Sequence, residues 1–205
     1  RGIGAAVTRT LLFHGARVTM LGRRPSIPAN ATATFGANQP LDYVQADVGD
    51  ADAVSRAFAS ARERSGAIDI LVNNAGQGES APFLQTDPAL WRRMMTVNLD
   101  GTYHCMREAL PAMLDARWGR VVNIASTAGL TGFGYVTAYC AAKHGVIGLT
   151  RALAGEVASK GVTVNAVCPG YTATEMFEHT VSNIVAKTER SREQAASDLL
   201  ARSQQ

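Results

Sequence analysis

Short runs rich in apolar and β-branched residues alternate along this chain with longer segments whose apolar residues recur at helical spacing. The runs at 18–21, 41–45, 68–72, 121–125 and 162–167 read as strands. Between them, residues 5–14 carry Val7, Leu11 and Leu12 on one face, and 51–64 carry Val54, Ala57, Phe58 and Ala61. Asp87 can cap a long helix with Pro88 at its first position, running to about residue 116 with room for a break near Gly101. A further helix ends near residue 159, and 175–205 reads as helical and polar. Residues 25–40, with Pro25 and Pro28, form a loop or a broken short helix. Alternation of this kind dictates an α/β fold: a doubly wound, Rossmann-like parallel sheet with helices on both faces.

In open parallel sheets ligands sit outside the carboxyl ends of the strands. Arg23, Asp47, Asn74, Ser126 and Pro169-Gly170 all fall at such ends. Five strand ends carrying polar or conformationally special residues are what a binding crevice requires. Asp47 also suits a turn or a helix cap, and that alternative stays open.

The stretch from Gly119 to Lys143 carries the chemistry. Its strand ends at Ser126, a loop with Gly129, Gly132 and Gly134 follows, and then a helix bears Tyr139 and Lys143. Residues four apart share a helix face, so phenol and ammonium can address one site. A nearby lysine favours phenolate and is expected to draw the phenol's pKa from about 10 towards neutrality, as a general acid/base needs. A Tyr four residues before a Lys arises by chance in roughly one such chain in fourteen and alone proves little; a strand-end serine and a glycine-rich loop ahead of it are much harder to get by accident.

At the other end, Gly2 and Gly4 open a helix that is followed by a strand, the second half of a dinucleotide-binding βαβ unit. A plain helix-start turn reads equally well. The strand then ends in Gly22, Arg23 and Arg24, with no acid to take a ribose 2′-hydroxyl. A guanidinium fork suits a 2′-phosphate, which favours NADP(H) and leaves NAD(H) as the alternative.

The 205 residues fit one domain. A net charge of +3 with acids and bases interspersed argues against a nucleic-acid surface. No apolar run is long enough for a membrane span. Cys105, Cys140 and Cys168 have no metal or redox spacing, so no metal is expected, and they read as reduced thiols in a cytoplasmic protein.

Taken together, these residues resemble the short-chain dehydrogenase/reductase family along essentially the whole chain. The motifs are Arg1-Gly2-Ile3-Gly4, Ala46-Asp47-Val48, Asn73-Asn74-Ala75-Gly76, Val97-Asn98-Leu99, Asn123-Ile124-Ala125-Ser126, Tyr139-Cys140-Ala141-Ala142-Lys143 and Pro169-Gly170-Tyr171-Thr172-Ala173-Thr174. The resemblance implies a catalytic set of Asn98, Ser126, Tyr139 and Lys143. Tyr139 would exchange a proton with the substrate oxygen and Ser126 would hydrogen-bond it. Lys143 would bind the nicotinamide ribose, and Asn98 would fix a local bend and a water leading from Lys143. Without the resemblance, Asn98 reads as a helix asparagine bonded to backbone. The cofactor residues implied are Arg1, Gly2, Ile3, Gly4, Arg23, Asp47, Val48, Asn74, Ala75, Gly76, Tyr139, Lys143, Pro169, Gly170, Thr172 and Thr174, with Asn73 structural instead. A basic Arg1 in the glycine motif again implies NADP(H).

Among family members the chain is most similar to 3-oxoacyl thioester reductases, of acyl-carrier-protein and CoA types, and to polyketide ketoreductases. That implies a ketone substrate, small or thioester-carried, and acyl carrier protein as a candidate partner. It also implies a homotetramer and a substrate lid at about 171–205. An NAD-linked alcohol, sugar, steroid or 3-hydroxyacyl-CoA dehydrogenase is the enzymatic alternative; a nucleotide-binding sensor is the non-catalytic one, disfavoured because it needs no proton donor. The family's first strand and its C-terminal strand have no counterpart in these residues. The expectation is therefore a partial single dinucleotide-binding and catalytic domain over 1–205, with two unpaired strand edges, that does not fold into active enzyme on its own.

Overall fold

The computed structural model describes residues 2–27, 35–36, 39–172 and 174–202. Five strands are β1 (Val18–Gly22), β2 (Leu41–Gln45), β3 (Ile70–Asn73), β4 (Gly119–Ile124) and β5 (Val162–Val167). All pairings are parallel, in two groups: β1 with β2, and β3–β4–β5 with β4 central. The inner edges of β1 and β3 have no strand partner among the described residues. A cavity of about 900 Å³ lies between them, with Arg23, Asp47 and Asn74 also in its lining. The anticipated single sheet is thus observed in two pieces, and the gap falls where the expectation put its unpaired edges.

The helices are α1 (Gly2–Phe13), α2 (Ala51–Ser65), α3 (Pro88–Met95), α4 (Gly101–Asp115), α5 (Thr137–Val157), α6 (Glu175–Lys187) and α7 (Arg192–Arg202). Their starts follow from the sequence. The Asp50 carboxylate accepts the Ala53 N–H at 2.9 Å and that of Asp87 accepts the Leu90 N–H at 2.7 Å, each meeting an otherwise unpaired donor. Val54 and Phe58 of α2, Met106 and Met113 of α4, and Val157 of α5 pack with Val121 and Val164 in one core. These three helices therefore share a face of the sheet. Right-handed crossovers require this, because strand order advances in one direction from β3 to β5. Half of the β1–β2 connection, including Pro28, lies outside the described residues.

Four expectations shift. Helix α1 begins at Gly2, three residues early, with Gly2 itself at φ +56°, a conformation that glycine adopts without strain. Strand β3 begins at Ile70, not residue 68. The long helix from Asp87 is interrupted by a π-helical turn, Thr96–Asp100. The polar C-terminal segment is two helices whose shared core is Val181, Ala195 and Leu199.

A buried polar chain fixes the sheet register. Asn73 donates to Asn123 Oδ1 at 2.9 Å, and Asn123 donates to Thr150 Oγ1 at 2.9 Å, tying β3, β4 and α5 together. Asn73 and Asn123 are directly paired in the ladder, so a one-residue slip would break the chain. Asn73 is structural, as expected.

One turn has no tolerance. Gly161, at φ +78°, joins α5 to β5, and a Cβ there would lie 1.9 Å from the Arg117 carbonyl oxygen. Gly161→Ala is expected to cost about 3 kcal/mol or more in denaturant unfolding, since both the positive φ and a backbone clash must be relieved. A loss below about 1 kcal/mol would show that the two turns move apart freely.

Candidate active site

The carboxyl ends of β4 and β5 are stapled together. The Ala125 N–H donates to the Val167 carbonyl at 2.8 Å and the Thr127 N–H to the Pro169 carbonyl at 3.0 Å. Ser126, extended at φ −173°, lies between these bonds, and its hydroxyl accepts the Ala128 N–H at 3.1 Å. The loop then folds against α5 so closely that a Cβ on Gly129 would sit 2.7 Å from the Lys143 carbonyl oxygen. That approach positions Ser126 opposite the first two turns of α5, where Tyr139 and Lys143 lie one turn apart.

Burial raises the Tyr139 pKa above its ordinary value; the Ser126 hydroxyl opposes the rise by hydrogen bonding, and the nearby Cys140 and Tyr171 add to it. Lys143 is only 4% exposed. Its ammonium donates to the Ile124 carbonyl at 2.8 Å and sits 5.7 Å from the Tyr139 ring centroid. Burial lowers its pKa to about 8, with Cys168 pulling the other way. The expected fall of the phenol's pKa towards neutrality is therefore corrected: desolvation outweighs what the nearby ammonium does for a phenolate. The ammonium is directed at a backbone carbonyl, and desolvation, which disfavours charge on either group, dominates both.

Asn98 is fully buried in the π-helical turn. Its amide donates to the carbonyls of Met94 and Gln77, both at 2.9 Å, and its Oδ1 accepts the Gln77 N–H at 3.1 Å. The side chain thus bonds backbone of its own helix at Met94, as the reading without the resemblance had it, and also clamps the loop after β3 at Gln77; the local bend is present too. A Cβ on the adjoining Gly76 would lie 2.9 Å from Asn98 Oδ1 and 3.6 Å from the Lys143 ammonium nitrogen, so this loop borders the site.

The glycine turn at the start of α1 lies in the same crevice. A Cβ on Gly2 would meet Thr174 Cγ2 at 3.3 Å, and one on Gly4 would meet Asn74 Nδ2 at 2.6 Å. Gly2, Gly4, Asn74 and Thr174 therefore form a cradle at the N-terminal end of α1, the end whose dipole favours an anion. This fits a nicotinamide dinucleotide, whose pyrophosphate needs close backbone approach. Ile3 is on the same turn, Ala75 and Gly76 are exposed beside it, and Gly170 and Thr172 are exposed above it. Pro169 is half-buried by its bond to Thr127.

Other sequence candidates are placed differently. Asp47 makes the turn foreseen as its alternative: its carboxylate accepts the Gly49 N–H at 2.9 Å. Val48 gives its side chain to the core and its carbonyl to His104 Nδ1 at 2.9 Å, leaving its own N–H as the group a ligand could use. Arg23 is exposed at the end of β1, and no carboxylate pairs with it or with Arg24 among the described residues. Arg1 lies outside the described residues. Three contributors went unforeseen: the Ile124 carbonyl, Gln77 and Tyr171. The first two act through backbone and leave no trace in residue type; an aromatic directly after Pro-Gly was the available sign of the third.

Residues 1–184 match the family described as short chain dehydrogenase. The chain belongs to that family, whose members are NAD(P)-dependent oxidoreductases acting on CH–OH and C=O groups. It is 35% identical over 206 residues to D-beta-hydroxybutyrate dehydrogenase of Rhizobium meliloti, covering 99% of this chain and 80% of that protein. It is 39% identical to the 3-oxoacyl-[acyl-carrier-protein] reductase of Synechocystis, over 87% of this chain and 73% of the relative. Among solved structures, a single-residue variant of actinorhodin polyketide ketoreductase, crystallised with NADPH, superposes with a TM-score of 0.89 at 36% identity, covering 95% of this chain and 76% of that one. No helix among the described residues is long and apolar enough to cross a membrane.

Proposed function

We propose that this protein reduces a ketone to a secondary alcohol with NADPH, its substrate being a 3-oxoacyl thioester, on acyl carrier protein or CoA, or a polyketide. The observation that carries this reading is the constellation at the carboxyl end of β4: Ser126 hydrogen-bonds the buried Tyr139 phenol, and the Lys143 ammonium lies 5.7 Å from the phenol ring, so a proton donor and a hydrogen-bond donor face one point. Similarity to a 3-oxoacyl reductase and a polyketide ketoreductase supports the substrate class.

When bound, the reduced nicotinamide supplies the hydride. Gly2, Ile3 and Gly4 would hold the dinucleotide's pyrophosphate, with Arg1 and Arg23 at the 2′-phosphate and Asp47 and Val48 near the adenine. Asn74, Ala75, Gly76, Pro169, Gly170, Thr172 and Thr174 would line its remaining length, and Lys143 would take the ribose. Tyr139 gives its proton to the carbonyl oxygen as negative charge develops there, and Ser126 donates a hydrogen bond to the same oxygen. The Lys143 ammonium steadies the phenolate left behind, and Asn98 holds the loop that borders both. A homotetramer in the cytoplasm is the assembly and setting this reading carries.

The test is loss of reduced-nicotinamide absorbance with acetoacetyl-CoA and NADPH. Turnover supports the reading; NADPH binding without turnover leaves the cofactor assignment and sinks the substrate. Arg23→Glu is expected to lower kcat/KM for NADPH about 10- to 100-fold while NADH use rises, because a charge-assisted pair to the 2′-phosphate is replaced by repulsion. Unchanged selectivity would remove Arg23 from the cofactor site. A second reading, oxidation of a 3-hydroxy acid with NAD, is favoured by the similarity to D-beta-hydroxybutyrate dehydrogenase over nearly the whole chain. Better turnover of 3-hydroxybutyrate with NAD than of the thioester with NADPH would select it.

A further inference from the structure

The turn that leaves β1 is held from β2. Residues 23–26 belong to neither helix nor strand, yet the successive carbonyls of Gly22, Arg23 and Arg24 are all bonded. The Ala46 N–H donates to that of Gly22 at 2.9 Å, Gln45 Nε2 to that of Arg23 at 3.0 Å, and the Tyr43 hydroxyl to that of Arg24 at 2.7 Å. The first bond continues the ladder in which Gly22 pairs with Gln45; the other two are made by side chains. Gly22 leaves room for the phenol, since a Cβ there would lie 3.0 Å from the Tyr43 hydroxyl oxygen. Burial raises the Tyr43 pKa and the Arg24 guanidinium opposes the rise, so the phenol keeps its proton at neutral pH and serves as the donor.

What the turn offers the crevice is positive charge. Arg23, Arg24 and Tyr43 line the cavity, and Gln45 does not, so Gln45 acts on the contents of the cavity only through the turn. Neither guanidinium has a carboxylate partner among the described residues. Two adjacent guanidiniums repel each other, and on a loose turn they would drift apart into solvent. Carbonyl oxygens are the groups of a turn that would repel an anion, and here all three at its start are occupied by donors. A phosphate dianion is the ligand that such a pair of forks takes. Its affinity depends on whether the turn is already in place or has to be ordered as the phosphate arrives.

We propose that Tyr43 and Gln45 are positioning residues for the 2′-phosphate of NADPH: by fixing the carbonyls of Arg24 and Arg23 they hold the two guanidiniums as a preformed pair. Part of the cofactor selectivity then resides in side chains of β2 that work through the backbone of the turn. This inference rests on the reading of the cofactor as NADPH and extends it from the arginines to the strand beside them. Its effect belongs to the adenosine end of the cofactor, so binding carries it and proton transfer at Tyr139 does not.

The experiment measures Kd for NADPH and NADH by reduced-nicotinamide fluorescence at one ionic strength. Adenosine 2′,5′-bisphosphate and 5′-AMP, titrated by calorimetry, probe the adenosine end alone. Tyr43→Phe and Gln45→Met are each expected to weaken NADPH about 3- to 10-fold and NADH by less than about twofold, and the two together to weaken NADPH about 10- to 50-fold. The bisphosphate should follow NADPH, and 5′-AMP should follow NADH. Tyr43→Phe keeps the ring and Gln45 is exposed, so the melting temperature of each variant is expected to stay close to that of the unaltered protein. In a protein carrying Arg23→Ala and Arg24→Ala, the same substitutions are expected to change NADPH binding by less than about twofold, since nothing remains to be positioned. Equal weakening of NADPH and NADH, as a merely structural role would give, or an effect that persists without the arginines would overturn the proposal. If the unaltered protein binds NADH as tightly as NADPH, the cofactor reading fails and takes this inference with it. A preference for NADPH that both variants leave intact sinks the inference alone.

Discussion

Tyr139→Phe is expected to lower kcat for ketone reduction by about 10²- to 10⁴-fold while NADPH binding and the melting temperature stay close to those of the unaltered protein. The substitution removes one hydroxyl and keeps the ring, so the packing of α5 persists and only the proton is lost. Its pH dependence separates this role from a structural one. With the phenol pKa raised and that of Lys143 at about 8, both groups are protonated at neutral pH. Raising the pH through about 8 removes the ammonium that steadies the developing phenolate, so kcat/KM for reduction is expected to fall from there. Oxidation, which needs the phenolate as base, is expected to rise with pH instead. In Tyr139→Phe the residual rate should be nearly flat. A variant retaining a tenth or more of the rate would mean that the proton comes from elsewhere.

The phenol is also where sequence and structure part company. Periodicity placed Tyr139 and Lys143 on one helix face, and strand endings placed Ser126 beside them, because these are local consequences of repeats of about 3.6 and 2.0 residues. The direction of the phenol's pKa shift was not legible. It depends on how much water α5 and the Gly129 loop exclude and on where the ammonium turns, and both are set by tertiary packing. Nor could the two uses of Asp47, ligand or turn, be separated by residue type, since a carboxylate at a strand end serves both. Asn98 is the instructive intermediate: its backbone-bonding role in a helix interior was readable from chemistry alone, while the loop it clamps, beginning at Gln77 and 21 residues away, was not. The register of β3 on β4 likewise rests on Asn73 and Asn123, fifty residues apart. Strand existence was encoded locally; strand placement was encoded in pairs.

Lys143→Met should make the protein more stable and catalytically incompetent at once. The folded lysine holds its proton with a pKa of about 8 against an ordinary 10.5, a difference worth about 3 kcal/mol. Below pH 8 both folded and unfolded chains carry that proton, and the full cost of burying the charge stands. Between pH 8 and 10.5 the folded chain releases it while the unfolded chain keeps it, so the unaltered protein gains stability as pH rises through this window. Methionine has similar length and no charge, so it removes the cost at neutral pH, and losing the bond to the Ile124 carbonyl takes part of the gain back. The expected net is a gain of about 1–2 kcal/mol at pH 7, a rise in Tm of about 2–8 °C for a chain of this size. The advantage should vanish by pH 10.5, where the variant lacks the increment. Denaturant unfolding at pH 7 and pH 10 measures both. A variant less stable at pH 7 with an unchanged pH slope would show that Lys143 is bound as a stabilising cation. The predicted result would instead mark it as a charge kept at the expense of stability, because proton transfer at Tyr139 depends on it.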